Sequence, residues 1–534
     1  MLLVSVYQRR LSPIDFLERS ARVYRRKVAV VDGAARRTYP EMLERVYRFA
    51  HLLHSLGVRE GERVAVLAKN ETTLLEAHFA VPLAGGVLCA LNVRLIAGEI
   101  AYIVEHCGAS VVVYDPEFAP LVEGLDPAVR RVRTGSAKAG DLEALLAGSP
   151  AEPLENPVVD ENATISINYT SGTTGRPKGV MYTHRGAYLN ALAEITTANL
   201  RAESVYLWTL PMFHCNGWCY PWAVTAAGAT HVCLPKVEPE AIFALAESER
   251  VTHFCGAPTV LIGIANHPQA RAFSQPVHVV TAGAAPAPTT ISQIEALNAT
   301  VTQVYGLTET YGPVTVSAWQ SEWDALPPAE RAKLKARQGV GLITVGANDV
   351  RVVEPLPAGA ASDVELRDVP SDGATPGEIV MRGNNLMKGY YRDPEATAQA
   401  FLGGYFHSGD IAVMHPDGYL EIQDRAKDVI ISGGENISTV QVEKVILEHP
   451  DVLECAVVAK PHERWGEVPK AFVVRKPGRE LSAEALIEHC RERLPHFKAP
   501  KEVEFGELPK TSTGKIQKFV LREREWNGFE KRVH

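Results

Sequence analysis

Apolar strand patterns alternate with helical patterns through the first part of this chain. The order strand, helix, strand occurs at 63–68, 71–84 and 87–91, and again at 277–281, 286–297 and 299–305. Strands that follow one another through a helix usually pair in parallel, and the helix then covers a face of the sheet. The alternation therefore predicts an α/β protein whose sheets are parallel and covered by helices.

A change of pattern near residue 426 predicts two unequal domains. Before it, 378–382 and 418–425 resemble short strands of antiparallel meanders. After it, Ser438-Thr-Val-Gln441 has the form of a capping box that opens a helix within a compact unit. We expect a large multi-sheet α/β body, residues 1–426, and a small, mobile α+β lid, residues 427–534.

Composition excludes several classes of protein. The net charge of −8 gives no general electrostatic attraction to nucleic acid or to an anionic membrane. The longest apolar stretch, 80–91, is shorter than the roughly 18 residues of a membrane span. The cysteines form no C-x-x-C pair, so neither a disulfide framework nor a zinc site is expected. We predict a soluble cytoplasmic protein.

The segment Tyr169-Thr-Ser-Gly-Thr-Thr-Gly-Arg-Pro-Lys-Gly179 carries the strongest chemical signal. Glycines allow backbone N–H groups to turn toward phosphate oxygens, hydroxyl groups add hydrogen bonds, and a lysine supplies charge. In a Walker A loop glycine precedes the lysine and Ser or Thr follows it. Here Pro177 precedes Lys178 and Gly179 follows it, so the segment predicts a polyphosphate-binding loop of another kind.

Further motifs follow this loop in order and identify a family resemblance. They are Tyr305-Gly-Leu-Thr-Glu-Thr310, Tyr405-Phe-His-Ser-Gly-Asp410, Asp424-Arg-Ala-Lys-Asp428 with Ser432-Gly-Gly-Glu-Asn436, and Pro509-Lys-Thr-Ser-Thr-Gly-Lys515. Together with the loop they resemble the adenylate-forming (AMP-binding) superfamily, from about residue 13 to 525. The insert at 319–331 is similar to the acyl-CoA synthetases of the short- and medium-chain fatty acid branch.

The resemblance implies a reaction in two steps. A carboxylate attacks the α-phosphorus of ATP to give acyl-AMP and pyrophosphate, and the thiol of coenzyme A then displaces AMP. The acid is expected to be a fatty acid or a bulkier aromatic acid. Two alternatives remain: an enzyme that loads the acyl group onto a carrier protein, and an inactive nucleotide-binding homologue. The oligomeric state is not readable from the sequence, and a homodimer remains open.

The resemblance also assigns nucleotide-binding residues. They are Thr170, Ser171, Gly172, Thr173, Thr174, Gly175, Lys178, Gly283, Ala284, Ala285, Tyr305, Gly306, Asp410 and Arg425. Tyr305 is expected beside the adenine, Asp410 and Arg425 at the ribose, and Thr308 at the α-phosphate. Glu309 is expected to bind Mg²⁺, a hard cation that prefers oxygen ligands and shares phosphate oxygens.

The remaining assignments concern the lid and the acid. Lys515 is expected to be the catalytic lysine that bridges the carboxylate and the α-phosphate, and Lys427 the hinge. Gly433, Gly434 and Glu435 are expected to shape the coenzyme A tunnel. The acid is expected to contact His214, Trp218, Gly306 and Thr310, with His214 beside its carboxylate. An isolated histidine is more often a core residue, and Trp218 and Trp222, at i+4, are expected on one helical face.

The glycines near the acid suggest a roomy pocket. Gly256, Gly306 and Gly312 lie in the segments expected to line it, and their missing side chains leave space for a bulky acid.

Overall fold

The computed structural model describes residues 8–135, 141–170, 176–284, 286–346, 348–357, 359–511 and 514–529. The strands within these residues are β1 (Val28–Asp32), β2 (Ala35–Thr38), β3 (Arg63–Leu67), β4 (Val87–Ala90), β5 (Ala109–Tyr114), β6 (Arg130–Arg133), β7 (Thr164–Tyr169), β8 (Gly179–Thr183), β9 (Val205–Leu207), β10 (Thr230–Val232), β11 (His253–Gly256), β12 (Val277–Thr281), β13 (Ala299–Leu307), β14 (Gly312–Val316), β15 (Val340–Gly341), β16 (Val350–Val353), β17 (Gly377–Met381), β18 (Gly389–Tyr390), β19 (Phe406–Met414), β20 (Leu420–Arg425), β21 (Ile430–Ser432), β22 (Glu435–Ile437), β23 (Val452–His462), β24 (Gly466–Arg475) and β25 (Glu502–Phe505).

The α-helices within the same residues are α1 (Ile14–Val23), α2 (Tyr39–Ser55), α3 (Thr72–Leu83), α4 (Ala97–Cys107), α5 (Ala119–Val122), α6 (Leu142–Gly148), α7 (His184–Thr197), α8 (Cys215–Trp218), α9 (Tyr220–Ala227), α10 (Pro239–Ser248), α11 (Pro258–Ala265), α12 (Pro288–Glu295), α13 (Pro328–Lys335), α14 (Pro394–Ala400), α15 (Thr439–Leu447), α16 (Ala483–Arg491) and α17 (Lys518–Glu525). Short 3₁₀ turns lie at Pro116–Phe118, Thr308–Thr310, Ser321–Ala325 and Leu402–Gly404.

Two large sheets with parallel centres form the body. One has the order β15-β14-β13-β12-β11-β9-β10-β1-β2, and the other β18-β8-β7-β4-β3-β5-β6. In the first, the strands from β13 to β1 run parallel, and in the second β7, β4, β3, β5 and β6 do. The predicted strand–helix–strand order is confirmed at β3–α3–β4 and at β12–α12–β13.

Helices buried between the two sheets join them into one core. This core includes apolar residues of α1, α2, α3, α7 and α9 and of strands from both sheets. Every residue of α3 is buried. A mostly apolar helix that is buried throughout has protein on every face. The loops at the ends of both sheets are therefore carried on one packed unit.

An antiparallel sheet leads from the body toward the lid. Its order is β16-β17-β19-β20, and β19 and β20 form a hairpin in which Asp410 lies opposite Arg425. The predicted antiparallel meanders are confirmed here. The chain continues from β20 directly into the strands of the lid, so this hairpin places two predicted ligand-binding residues next to the start of the lid.

The C-terminal residues form a small α+β unit with its own core. Its sheet is ordered β22-β21-β24-β23, with β25 paired parallel to β24. The Ser438 hydroxyl accepts the backbone N–H of Gln441 at 3.0 Å, which is the predicted helix cap of α15. Among the described residues, every helix is too short or too polar to cross a membrane.

Candidate active site

The glycine-rich segment joins β7 to the antiparallel strand β8. Its described ends are tied together, because Thr170 N–H donates to the Lys178 carbonyl at 3.0 Å. The Lys178 ammonium lies 4.8 Å from the centre of the Tyr390 ring. The predicted nucleotide ligands Ser171, Gly172, Thr173, Thr174 and Gly175 lie outside the described residues. The described part brings an exposed lysine to the edge of the sheet.

The Tyr305 motif begins at the end of β13 and continues as a tight turn. The Thr310 hydroxyl accepts Leu307 N–H at 2.8 Å and donates to the Gly312 carbonyl at 2.7 Å. This predicted substrate contact therefore holds the turn closed. The Thr308 carbonyl accepts the Tyr182 hydroxyl at 2.6 Å. The turn presents Thr308 and Glu309 at the carboxyl end of the parallel strands, where open α/β sheets bind ligands.

Glu309 is a largely buried carboxylate with one hydrogen bond from a tyrosine. The Tyr390 hydroxyl donates to its Oε1 at 2.9 Å. Burial raises the pKa of Glu309, and the Tyr390 hydrogen bond and the charges of Arg425 and Lys178 oppose that shift. Within the described residues no three His, Cys, Asp or Glu side chains converge on a metal site. A cation bound here would take one protein carboxylate and complete its shell with water and phosphate oxygens, which suits Mg²⁺.

Asp410 joins the β19–β20 hairpin to the end of β13. Its Oδ2 accepts the Tyr305 hydroxyl at 2.7 Å, and its Oδ1 lies 3.3 Å from Arg425 Nε. The Asp410 side chain is 6% exposed and that of Arg425 is 41% exposed. An ionised carboxylate has more acceptor positions than these two partners use, so it can also accept the hydroxyls of a sugar.

Gly283 and Ala284 follow β12, the neighbour of β13. Both are exposed, Gly283 has φ +94°, and a Cβ built on it would meet nothing within 4 Å. Ala285, predicted with them, lies outside the described residues. The turn lies at the carboxyl end of the sheet, on the same edge as the end of β13. It is open enough to lie against a planar ring.

Lys515 lies in a lid loop that reaches the body. Thr511 N–H donates to the Lys515 carbonyl at 2.7 Å, and Lys515 N–H donates to Thr511 Oγ1 at 3.1 Å. A Cβ on Gly514 would overlap Oγ1 of Thr259 in α11, so the loop touches the body directly. Residues 512–513 lie outside the described part of the chain.

The electrostatic neighbours of Lys515 locate it between the two halves of the site. Burial and the positive charge of Arg425 lower the pKa of Lys515 to about 8, against the opposing effects of Asp410 and Asp428. Burial, with the Lys515 charge in addition, lowers the pKa of His214 to about 4. One ammonium group thus acts on the predicted ribose ligands and on the predicted acid-side histidine, which is neutral near pH 7.

The segment that is expected to contact the acid, around His214 and Trp218, contains a run of left-handed backbone. Cys215, Asn216, Gly217, Trp218 and Cys219 have φ values of +49°, +49°, +56°, +53° and +64°. Each non-glycine residue in this conformation costs about 1–2 kcal/mol. Buried amides hold the run: Asn216 Oδ1 accepts the Ser166 hydroxyl at 2.6 Å, and Asn168 Nδ2 donates to the Phe213 carbonyl at 2.6 Å. Strain of this kind is typical of functional sites.

This backbone overturns the predicted placement of two tryptophans. Trp218 lies within the left-handed run, which continues to Cys219, and α9 begins only at Tyr220, so Trp218 and Trp222 do not share a helical face. The Trp222 indole N–H donates to the His78 carbonyl at 3.2 Å in the core. Trp218 is 6% exposed and packs on Gly312, where an added Cβ would lie 2.9 Å from its Cδ1.

Two glycines of the acid side do not leave the expected space. A Cβ on Gly306 would overlap the carbonyl of Gly312, and a Cβ on Gly312 would press on the Trp218 indole. The prediction that these glycines make room for a bulky acid was wrong, because backbone and indole already occupy that volume. Gly256 differs, since its Cβ would make only ordinary contacts with Val260 and Leu261.

Comparison with known proteins identifies the family of this chain. Residues 17–391 match the AMP-binding enzyme family, and residues 441–515 match the C-terminal domain of AMP-binding enzymes. The chain belongs to the AMP-binding enzyme family. Of its relatives, the acetate–CoA ligase CCL3 of Humulus lupulus is 44% identical over 547 residues, covering 96% of this chain and 94% of that protein.

A more distant relative has a different acid in its name, and a solved structure shows the same fold. The peroxisomal benzoate–CoA ligase of Arabidopsis thaliana is 40% identical over 550 residues, covering 96% of this chain and 93% of that protein. The crystal structure of ATP-bound MatB from Rhodopseudomonas palustris has a TM-score of 0.82 and 27% identity, covering 98% of this chain and all of that one. The architecture of this AMP-binding enzyme is thus shared across its whole length.

The glycine hairpin of the lid, at Gly433 and Gly434, has different neighbours from Lys515. Gly433 and Gly434 form the turn between β21 and β22, with φ values of +61° and +89°. Gly433 N–H donates to the Trp465 carbonyl at 2.8 Å, and a Cβ on Gly433 would lie 2.8 Å from the Trp465 ring. Glu435 is exposed. In this arrangement of the AMP-binding enzyme, the neighbours of the turn are lid residues.

The predicted hinge is an exposed turn between body and lid. The side chain of Lys427 is exposed, and its carbonyl accepts an N–H of Arg522 at 2.9 Å. Arg522 also forms an ion pair with Asp428. Both contacts come from α17, so the lid's last helix holds this turn in the observed arrangement.

Two structural features of the site were not predicted from the sequence. Tyr390 binds Glu309 from 81 positions further along the chain, and no motif pointed to it. The insert at 319–331 supports the β19–β20 hairpin: the Trp323 and Tyr419 ring centroids lie 5.3 Å apart, and the Gln320 side-chain amide donates to the Tyr419 hydroxyl at 2.7 Å. The insert thus supports the strands that carry Asp410 and Arg425.

Proposed function

We propose that this protein is an ATP-dependent carboxylic acid–CoA ligase. It activates an acid as acyl-AMP with release of pyrophosphate and then transfers the acyl group to the thiol of coenzyme A. One observation carries the proposal: the loop of Lys515 touches the body at Thr259, and the Lys515 charge there interacts with Asp410, Arg425 and His214. A cation between a ribose-binding pair and an acid-side residue is where an α-phosphate and a carboxylate would meet.

Adenylation brings together two anions, and the chain's residues would offset their repulsion. Lys515 would contact the carboxylate oxygen and the α-phosphate, Thr308 would donate to the phosphate, and His214, which is neutral, would lie beside the acid. Fixed charges and donors aimed at the transition state are commonly the largest source of rate acceleration. The net charge of −8 makes this local arrangement necessary, because the whole protein does not attract ATP.

Glu309 is the residue that we propose to hold Mg²⁺. Its pKa is raised by burial, so a bound cation would stabilise the ionised form, and Tyr390 leaves its second oxygen available. When bound, the ion supplies charge neutralisation of the phosphates. Tyr390 also keeps the carboxylate oriented and lies beside Lys178.

For the second step we propose a rotation of the lid, residues 427–534, about Lys427. The motion would withdraw Lys515 and bring Gly433, Gly434 and Glu435 to the acyl-AMP, where glycines allow close approach of a pantetheine chain. Domain motions of this type commonly gate successive steps. Support comes from the present position of the hairpin beside Trp465, on a lid surface that shares no contact with Lys515 among the described hydrogen bonds.

For the acid we propose a short aliphatic substrate. The space beside Gly306 and Gly312 is filled, and Trp218 lies at this end of the site. A pocket of fixed size discriminates between acids by roughly 10- to 200-fold per methylene. Relatives that are CoA ligases over nearly their full length favour coenzyme A as acceptor over a carrier protein. An inactive homologue would be expected to lack Lys515, Glu309 or Asp410, and this chain has all three.

The cysteines support a reducing compartment, and we propose the cytoplasm. All eight are buried thiols. Burial raises the pKa of most of them, which keeps them unreactive, as for Cys215 and Cys255 at about 12.

Pyrophosphate release tests the function. Purified protein, ATP and Mg²⁺ are incubated with acetate, butyrate, octanoate, palmitate or benzoate, with and without coenzyme A. We expect release that depends on the acid, is highest for the short acids, and yields acyl-CoA when the thiol is present. Release without any acid would contradict ligase activity, and equal rates across the panel would contradict the short-acid assignment.

A further inference from the structure

We propose that Tyr102 and His106 of α4 are positioning residues that hold the two ends of the glycine-rich segment for ATP. The inference rests on the proposed function of that segment. The two residues are one helical turn apart, and one contacts each end of the segment. No sequence motif includes them, and they lie more than sixty positions before the residues that they hold.

His106 holds the N-terminal end through Tyr169. The Tyr169 hydroxyl and His106 Nδ1 are 2.7 Å apart. Burial and the charge of Arg392 lower the pKa of His106, and burial raises the pKa of Tyr169. The histidine is therefore neutral and the tyrosine protonated near pH 7, and the two groups share one neutral hydrogen bond. Tyr169 in turn packs against Gly179, where a Cβ would lie 3.1 Å from its Cζ.

Tyr102 holds the C-terminal end through the backbone. Its hydroxyl donates to the Pro177 carbonyl at 3.4 Å, and the Arg176 guanidinium lies 5.3 Å from the centre of its ring. The rings of Tyr102 and His106 are stacked with centroids 5.5 Å apart. The two contacts are therefore parts of one packed surface on α4.

The same histidine connects to the residues around Glu309. The His106 and Tyr391 rings are 5.9 Å apart, and Arg392 donates to the His106 carbonyl at 3.2 Å. Tyr391 N–H donates to the Gly179 carbonyl at 2.7 Å. The neighbouring residue, Tyr390, is the one that binds Glu309 and lies beside Lys178. Helix α4 thus supports both the phosphate-binding segment and the carboxylate proposed for the cation.

A glycine-rich segment needs such support. Each glycine has more backbone freedom to lose than other residues, so ordering the segment around ATP costs conformational entropy. Fixing its ends beforehand lowers that cost and improves binding. The helix is a rigid support, because Ile100, Ile103 and Val104 are buried under the sheet. Tyr102 and His106 act through Tyr169 and Pro177, and they are not catalytic residues.

Kinetics of matched variants test the positioning role. In His106→Leu, KM for ATP is expected to rise about five-fold, which is the usual effect of one lost neutral hydrogen bond, while KM for the acid stays unchanged. In His106→Asn, the side-chain amide replaces Nδ1 as the hydrogen-bond partner of Tyr169 and should restore KM for ATP. Tyr169→Phe should match His106→Leu, and the double variant should be no worse than either alone.

The control is Glu105→Gln, an exposed position next to His106. It should match wild type in both KM values. If the wild type releases no pyrophosphate with any acid, the proposed function fails. If the wild type is active and both His106→Leu and Tyr169→Phe keep its KM for ATP, the positioning role fails. Equal loss of kcat and thermal stability in His106→Leu and His106→Asn would show a purely structural residue and would also overturn it.

Discussion

Two loops of the lid differ in what they contact. The loop that carries Lys515 touches the body at Thr259, and its ammonium acts on Arg425, Asp410 and His214. The hairpin that carries Gly433 contacts Trp465 of the lid. The sequence motifs predicted a catalytic lysine in the first loop and a coenzyme A tunnel at the second, and among the described contacts only the first loop reaches the body.

The difference supports our proposal that the two loops serve different steps. Lys515 carries a charge that matters when two anions meet, which happens during adenylation. The hairpin offers backbone and no Cβ, which suits the passage of a thin thiol chain during transfer to coenzyme A. We propose that the observed arrangement is the one for adenylation. Substitutions in the two loops should therefore separate the two steps.

Lys515→Ala is expected to show the largest difference between its effects on adenylation and on thiol transfer. Removing the cation should slow acid-dependent pyrophosphate release by about 10²- to 10³-fold, the usual cost of a lost electrostatic stabiliser of the transition state. Thiol transfer from supplied acyl-AMP should stay near the wild-type rate. The control Lys501→Ala changes an exposed lid lysine. Equal loss in both steps would mean that the lysine holds the lid together instead.

The pH dependence of adenylation should show the same lysine. Its pKa is lowered to about 8, so the ammonium is charged below that pH and is lost as the pH rises through it. Since kcat/KM reports groups of the free enzyme, it should fall about ten-fold per pH unit above the pKa. His214, with a pKa of about 4, titrates well below this range. The test is to measure kcat/KM for adenylation against pH in the wild type and in Lys515→Met. The variant should lack the decline at alkaline pH.

Gly433→Val should have the opposite effect and slow thiol transfer more than adenylation. The new side chain would press on the Trp465 ring and would also strain a backbone with φ +61°. We expect thiol transfer to slow by roughly ten-fold, as is common when a positioning loop is displaced, with little change in adenylation. Gly478→Ala, at φ +72° with nothing within 4 Å, controls for strain alone in the lid. A variant that slows adenylation instead would assign the hairpin to the first step.

Sequence patterns predicted the framework of the fold more closely than the shape of the site. Strand β12 has the predicted bounds, because a short β-branched run between turn residues is recognisable locally. The nucleotide-side assignments came from ordered motifs, and Tyr305, Asp410 and Arg425 do meet.

Features that depend on distant contacts could not be predicted in this way. The left-handed run at 215–219 contains three residues whose types have no preference for positive φ, Cys215, Trp218 and Cys219. Two of the side chains that hold the run, Ser166 and Asn168, lie on the distant strand β7. The space beside Gly306 is filled by the carbonyl of Gly312, which only the tertiary structure reveals. Tyr390 donates a hydrogen bond to Glu309 although the two residues are 81 positions apart in the sequence.

The smallest difference between the effects on the two steps is expected for a substitution where the lid loop touches the body. In Gly514→Ala the added methyl group would overlap the Thr259 hydroxyl, at a backbone with φ +84°. The Thr259 side chain can rotate, so the loop would be displaced only slightly, and adenylation should slow by about three-fold, as for a strain of roughly 0.5–1 kcal/mol. Thiol transfer from supplied acyl-AMP should be unchanged or slightly faster, because the adenylation arrangement is less stable. Adding Thr259→Ala removes the overlap and should recover part of the loss. Recovery in the double variant would show that this contact sets the position of Lys515, whereas an equal effect on both steps would show that Gly514 only stabilises the lid.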